Sequence, residues 1–154
     1  MNVKTALSLA LLTTLLAIAS APTLAVDSDP SPPASNDHAA GKKAIDAGDW
    51  NGAIKSLTAA AQREPRNADI QNLLGYSYRK SGQLDPAFKH YERALQLDPR
   101  HLGAHEYIGE AYLIAKNLSK AEEHLAALGR ICVLPCEEYA DLRAKVAAYK
   151  KGGK

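Results

Sequence analysis

The sequence predicts an all-α solenoid of three helix–turn–helix repeats closed by one further helix. Three observations predict it. Gly41, Gly75 and Gly109 recur at a thirty-four-residue step, and Ala53, Ala87 and Ala121 recur at the same step, as do Leu57, Tyr91 and Leu125. Breaker residues keep that step too, Gly48-Asp49 followed by Ser81-Gly82, with Lys116-Asn117 replacing the glycine turn in the third unit. Within each run the apolar residues are spaced by three and four, the stripe of an amphipathic helix. A fixed period of this length, with small and large residues in constant places, describes units that bury their apolar faces against one another.

In chain order, Lys4 supplies one positive charge before an apolar run from about Ala6 to Ala19, and no acidic residue precedes Asp27. A short basic start, a run of this length and a small-residue exit predict a secretory signal peptide over residues 1–25. Thr23 and Ala25 are the small residues before the favoured cut, so the mature chain is expected to start at Val26. The run is short for a bilayer span, which takes roughly 20 apolar residues. Residues 26–34, VDSDPSPPA, are too polar and proline-rich to bury apolar surface and read as a mobile leader. The mature protein is nearly neutral, since the net charge of +2 includes Lys4. No basic block marks a nucleic-acid partner.

The folded region is expected over 35–149, with repeats at about 34–67, 68–101 and 102–135. Ser35 or Asn36 can cap a first helix whose thin apolar face is Ala39, Ala40, Ala44, Ile45 and Ala47. Trp50 is expected in the turn, and Asn51 is expected to cap a second helix carrying Ala53, Ile54, Leu57, Ala60 and Ala61. Glu64-Pro65-Arg66-Asn67 ends it, because proline disfavours helix in the residue before it. Asn67 then caps a helix bearing Ile70, Leu73, Leu74 and Tyr78. Asp85-Pro86 reads as the next start, before Ala87, Phe88, Tyr91, Ala94, Leu95 and Leu97. The third repeat starts near Leu102 with Ala104, Ile108, Ala111 and Tyr112, and Ser119 is the expected cap of its second helix. Each periodic glycine marks a place where two helices must come close.

A helix over about 136–149 follows, with Glu137 and Glu138 in its first turn, and residues 150–154 are expected to form a flexible tail. Tyr139, Leu142 and Val146 stand where a fourth repeat has inward residues, whereas Arg143 stands where it has glycine. The helix therefore reads as a solvating cap.

The 68–101 unit, ADIQNLLGYSYRKSGQLDPAFKHYERALQLDPRH, resembles the tetratricopeptide repeat in its small, aromatic, small and proline positions at Ala87, Tyr91, Ala94 and Pro99. The run HLGAHEYIGEAYL and the Cys-x-x-x-Cys-Glu-Glu-Tyr-x-Asp-Leu close resemble small exported proteins of that family from Gram-negative bacteria. The family's closing proline is missing at Val133. The resemblance implies that the first helix of each repeat lines a concave groove holding a protein or peptide partner. Carried onto this chain, the groove residues are His38, Lys42, Asn72, Tyr76, Arg79, Glu106, Glu110 and Leu113. Their charges predict a sign change along the groove, from Lys42 and Arg79 to Glu106 and Glu110. Leu73 and Tyr107 stand where the carboxylate clamp of one subfamily needs polar or basic residues, so binding of chaperone tails is not expected.

Cys132 and Cys136 form an even pair in a chain that reads as exported, which predicts a disulfide. Within a continuous helix their β-carbons would stand too far apart, but Pro135 breaks the helix between them. The competing reading is a copper or thiol-redox accessory role for the two thiols, with His101, His105 and His124 nearby. No cofactor or metal is expected, and no nucleophile elbow, phosphate loop or H-E-x-x-H supports an enzyme. The expected function is a non-catalytic scaffold that binds a partner in the periplasm.

Overall fold

A computed structural model of the protein describes residues 35–134 and 136–152. The expected signal peptide, the leader and the helix-breaking Pro135 lie outside them. The described residues form helices α1 (Ser35–Asp46), α2 (Trp50–Arg63), α3 (Ala68–Lys80), α4 (Leu84–Leu97), α5 (Leu102–Ile114), α6 (Leu118–Ile131) and α7 (Glu137–Gly152). No strand occurs among the described residues. Three hairpins, α1–α2, α3–α4 and α5–α6, stack in order, and α7 packs on both α5 and α6.

The three hairpin turns share one mechanism. Gly48, Gly82 and Lys116 have positive φ, 71°, 83° and 59° respectively. The next residue in each turn donates its N–H back across it, Asp49 to the Ala44 carbonyl, Gln83 to Tyr78 and Asn117 to Tyr112. Gly48, Gly82 and Lys116 themselves donate to Ile45, Arg79 and Leu113. This pair of bonds closes a helix whose last residue turns left-handed. The residue that completes it is also the first cap of the following helix.

That economy corrects the predicted caps by two residues each. Asp49, not Asn51, caps α2, with its Oδ1 accepting from the Gly52 N–H at 2.9 Å. Asn117, not Ser119, caps α6 through the Lys120 N–H at 3.1 Å. Helix α4 starts at Leu84 behind Gln83, which makes no side-chain cap, so Asp85-Pro86 lies inside the first turn. Trp50 accordingly opens α2 instead of sitting in the turn. Between repeats the expectation at Asn67 holds, its Oδ1 accepting from Ile70 at 3.2 Å, and His101 takes that place one step later through its Nδ1.

The core follows the small–large alternation. Ala53, Leu57 and Ala60 meet Ile70 and Leu74, and Ala87 and Tyr91 meet Ile108 and Ala111. The glycines are notches for the facing helix. A β-carbon at Gly41 would lie 2.5 Å from Leu57, and one at Gly75 would lie 2.5 Å from the Tyr91 ring. The third notch departs from the period. Gly109 is met by Leu142 of α7, whose Cδ2 would stand 2.6 Å from an added β-carbon, and not first by Leu125. Leu142 is fully buried with Ala121, Leu128 and Val146.

Helix α7 also runs beyond the expected boundary at 149. Lys150, Lys151 and Gly152 are helical, so the expected tail does not begin at 150, and its residues 153 and 154 lie outside the described residues. Lys150 is tied to α6 by an ion pair with Glu122, and cations suit a helix C-terminus.

Candidate functional site: the inner face of the first helices

Helices α1, α3, α5 and α7 stand side by side, α1 against α3, α3 against α5 and α5 against α7. They present His38, Asn72 and Glu106 at one level and Lys42, Tyr76 and Glu110 one turn further along, as the thirty-four-residue step requires.

The structure gives these residues unequal roles. Lys42 is exposed and His38 half-buried. Asn72 is buried beside Gly103, and its Oδ1 has no hydrogen-bond partner among the described residues. Tyr76 is the hub of an aromatic seam, 5.0 Å from the Tyr107 ring and 6.1 Å edge-on to Trp50. The Arg79 guanidinium lies 5.3 Å from the Tyr76 ring and 5.6 Å from the Tyr107 ring, and the Lys80 ammonium lies 5.4 Å from the Trp50 ring. Such cation–ring contacts contribute about 0.5–2 kcal/mol each, more where water is excluded.

Arg79 is not a free groove charge. Its Nη1 pairs with Glu110 at 2.7 Å, its Nε donates to the buried Tyr91 hydroxyl at 3.2 Å, and its side chain is only 10% exposed. Burial alone would lower the Arg79 pKa, but Tyr91 and Glu110 more than offset that. Lys145 reaches in from α7 to pair with Glu110, and it lies 3.6 Å from Glu106. Burial and the neighbouring Glu110 push the Glu106 carboxyl up to about 7, with Lys145 opposing them. Burial likewise pushes the Tyr107 hydroxyl up to about 12.

The expected sign change along the groove is therefore replaced by a polarity along the helix axes. Asp37, Asp69, Glu137 and Glu138 lie in first turns, and Lys43, Arg79, Lys80, Lys150 and Lys151 lie in last turns. Each sign matches the helix dipole at its end.

At the last-turn end, Arg79, Glu110, Leu113, Ile114, Lys145, Ala148 and Tyr149 line an open cleft of about 400 Å³. Leu113 was expected here. Ile114, Ala148 and Tyr149 were not, although Lys80, Ile114 and Ala148 follow one another at the repeat step. Trp50 and Lys145 were also missed, since neither occupies a groove position of its repeat, and Tyr107 was read only as a residue unsuited to the clamp.

The histidines form a different set. His105 and His124 touch through their Nδ1 atoms at 3.0 Å, and the His105 Nε2 lies 3.1 Å from the Pro99 carbonyl. A carbonyl only accepts, so the neutral His105 donates from Nε2 and accepts at Nδ1 from the His124 Nδ1–H. One repeat earlier, His90 and Gln71 make the same link at 2.8 Å. The pair is thus a periodic bond between the two helices of a hairpin. Among the described residues no three His, Cys, Asp or Glu side chains group as a metal site. Cys132 and Cys136 face each other with Cα atoms 5.9 Å apart and their sulfurs paired, while Val133 and Leu134 between them are 93% and 79% exposed.

Two family models, each described as a tetratricopeptide repeat, match residues 38–101 and 78–146. Comparison with curated proteins finds no match. Solved structures with the same fold include the first such domain of Spaghetti (RPAP3) bound to the HSP90 peptide SRMEEVD, with a TM-score of 0.68 and 18% identity over 77% of this chain and 94% of that one. They also include the TPR2B domain of yeast Sti1 in a pHsp70 complex, with a TM-score of 0.66 and 21% identity over 75% and 96% of the two chains. The Yersinia enterocolitica type III secretion translocator chaperone SycD gives a TM-score of 0.69 and 20% identity over 76% and 83%. With its period, its glycine notches and these likenesses together, the chain belongs to the tetratricopeptide repeat family.

Proposed function

We propose that this protein is a non-catalytic, exported binding module that holds a partner protein or peptide against its inner face, in the assembly of a complex of the cell envelope. The observation that carries the proposal is the seam of Trp50, Tyr76 and Tyr107 with its cations, adjoining an open apolar cleft. Aromatic rings and arginine dominate protein-binding hot spots, the rings because they bring large contact area with few rotors to freeze. Two of the neighbours in fold hold peptides, RPAP3 with SRMEEVD and SycD with a YopD peptide. Leu73 and Tyr107 at the clamp positions argue against a partner of the first kind.

Export rests on the signal-peptide pattern of residues 1–25, with cleavage after Ala25, and the paired cysteines suit an oxidising compartment. In this reading Cys132 and Cys136 form a structural disulfide that fastens α7 to α6. The copper alternative needs those same two sulfurs as free thiolates, and the thiol-redox alternative needs their bond to open readily, whereas a structural disulfide survives mild reductant and binds no copper.

The test is a photocrosslinking residue placed at Tyr76 or at the exposed Lys89 of α4, followed by crosslinking in intact cells and fractionation. Adducts from position 76 alone, in the periplasmic fraction, are expected. Equal adducts from both positions remove the inner face from consideration, and a cytoplasmic protein retaining Met1 removes export.

A further inference from the structure

The cleft at the last-turn end of α3, α5 and α7 has chemistry that selects among partners. Leu113, Ala148 and Tyr149 line it, together with Ile114, which has 55% of its surface exposed. Its polar wall is asymmetric, because two cations, Arg79 and Lys145, share the single carboxylate Glu110 among the lining residues. Arg79 is immobilised by Glu110 and Tyr91 and serves as a fixed positive surface. Lys145 is 46% exposed with its ammonium paired to Glu110, and the exposed Lys80, outside the cleft lining, follows Arg79 on α3 and lies over Trp50 and Tyr76. The opposite end of the inner face is acidic. Glu106, Glu137, Glu138 and Asp141 surround a separate cleft of about 200 Å³ there.

We infer that the cleft beside Ile114 receives one apolar side chain of a partner peptide, and that a carboxylate within a residue or two of that side chain is held by Lys145, the exposed cation of its lining. Complementary charge disfavours wrong partners as well as attracting right ones, since like charges brought together lose affinity. An acidic peptide is attracted at the last-turn end and repelled at the other, which fixes where its carboxylate lies. The inference rests on the inner face being the binding surface.

Fluorescence anisotropy with three labelled peptides of equal length tests it: one with a central Leu-Asp-Asp, one with Leu-Lys-Lys and one with Ser-Asp-Asp. The first is expected to bind about tenfold or more tighter than the others. Ile114→Ser, at an exposed position, is expected to weaken it about tenfold at unchanged melting temperature, and Lys145→Gln to flatten its salt dependence. Equal binding of the Leu-Lys-Lys peptide, indifference to Ile114→Ser, or no binding of the Leu-Asp-Asp peptide up to about 1 mM overturns the inference. If crosslinks from Tyr76 persist in any of those cases, the inner face stands as the binding surface and only the partner's chemistry is wrong. If they are absent as well, both readings fall.

Discussion

Gly75→Ala is the most direct probe of how closely these helices approach. An added β-carbon would lie 2.5, 2.6 and 2.9 Å from three atoms of the Tyr91 ring. Ordinary carbon contacts begin near 3.5 Å, so the ring must retreat by about 1 Å. It has nowhere to go. Tyr91 is fully buried, and its hydroxyl takes a bond from Arg79, which is itself held by Glu110 at 2.7 Å. Overpacking of a well-filled core costs about 1–3 kcal/mol, and three such contacts against an anchored ring place this case near the upper end. Alanine regains about 1 kcal/mol of helix propensity over glycine, leaving a net loss of about 2 kcal/mol. For a domain of this size that lowers the melting temperature by about 8 °C. Thermal and urea unfolding followed by circular dichroism would measure it. Gly152→Ala, with no atom within 4 Å of the added carbon, is the control and should be neutral. A Gly75→Ala protein that melts at or above the parent would mean that α3 and α4 do not meet as described.

The remaining predictions concern α7 and the buried titrating groups. Leu142→Ala should cost about 2–5 kcal/mol by emptying the notch at Gly109, and hydrogen exchange in α7 should rise; unchanged exchange would detach α7 from the core. Burial and His105 hold the His124 imidazole down to about 4, and burial lowers His105 in the same sense. The unfolded chain protonates both near pH 6.5, so the stability tied to their neutral forms is complete above that and is lost as pH falls toward 4. His124 alone accounts for about 3 kcal/mol of this. Glu106, pushed up to about 7, works the other way, since its folded state holds the proton more tightly and gains stability as pH falls through that value. The parent should therefore show a shallow pH profile between 7 and 4.5. Glu106→Gln should uncover a steep acid loss, and His124→Gln should leave a protein more stable at pH 5 than at pH 7. Parallel profiles for all three proteins would contradict the assigned protonation states.

The helices and their notches were legible because a period reports on contacts that every repeat must make. Gly41 and Gly75 face Leu57 and Tyr91 by a constant offset, and nothing beyond the sequence is needed to see it. The caps were displaced because Asn51, Asp85 and Ser119 are all good cap residues by type. Only the backbone shows that the residue closing one helix already opens the next. The linked side chains of the inner face were not legible for a different reason. Arg79, Glu110 and Lys145 come from two repeats and the closing helix and obey no shared offset, and their pairing depends on how far each side chain can bend toward the others. Charge by residue type thus suggested a free cation at Arg79, whereas its position made it part of the wall.

Arg143 has a consequence for the length of the array. It stands one step beyond Gly109, at the place where the first two units leave room for their second helix and the third leaves room for α7, and its guanidinium lies 5.6 Å from the Tyr139 ring. A helix folding back along α7 in the manner of α2 or α4 would collide with that side chain. Among the described residues the inner face is four helices wide, and Arg143 leaves α7 without the glycine notch that the three repeats carry. Extending it by design would have to begin with Arg143→Gly, because without that notch an added unit has no seat on which to grow.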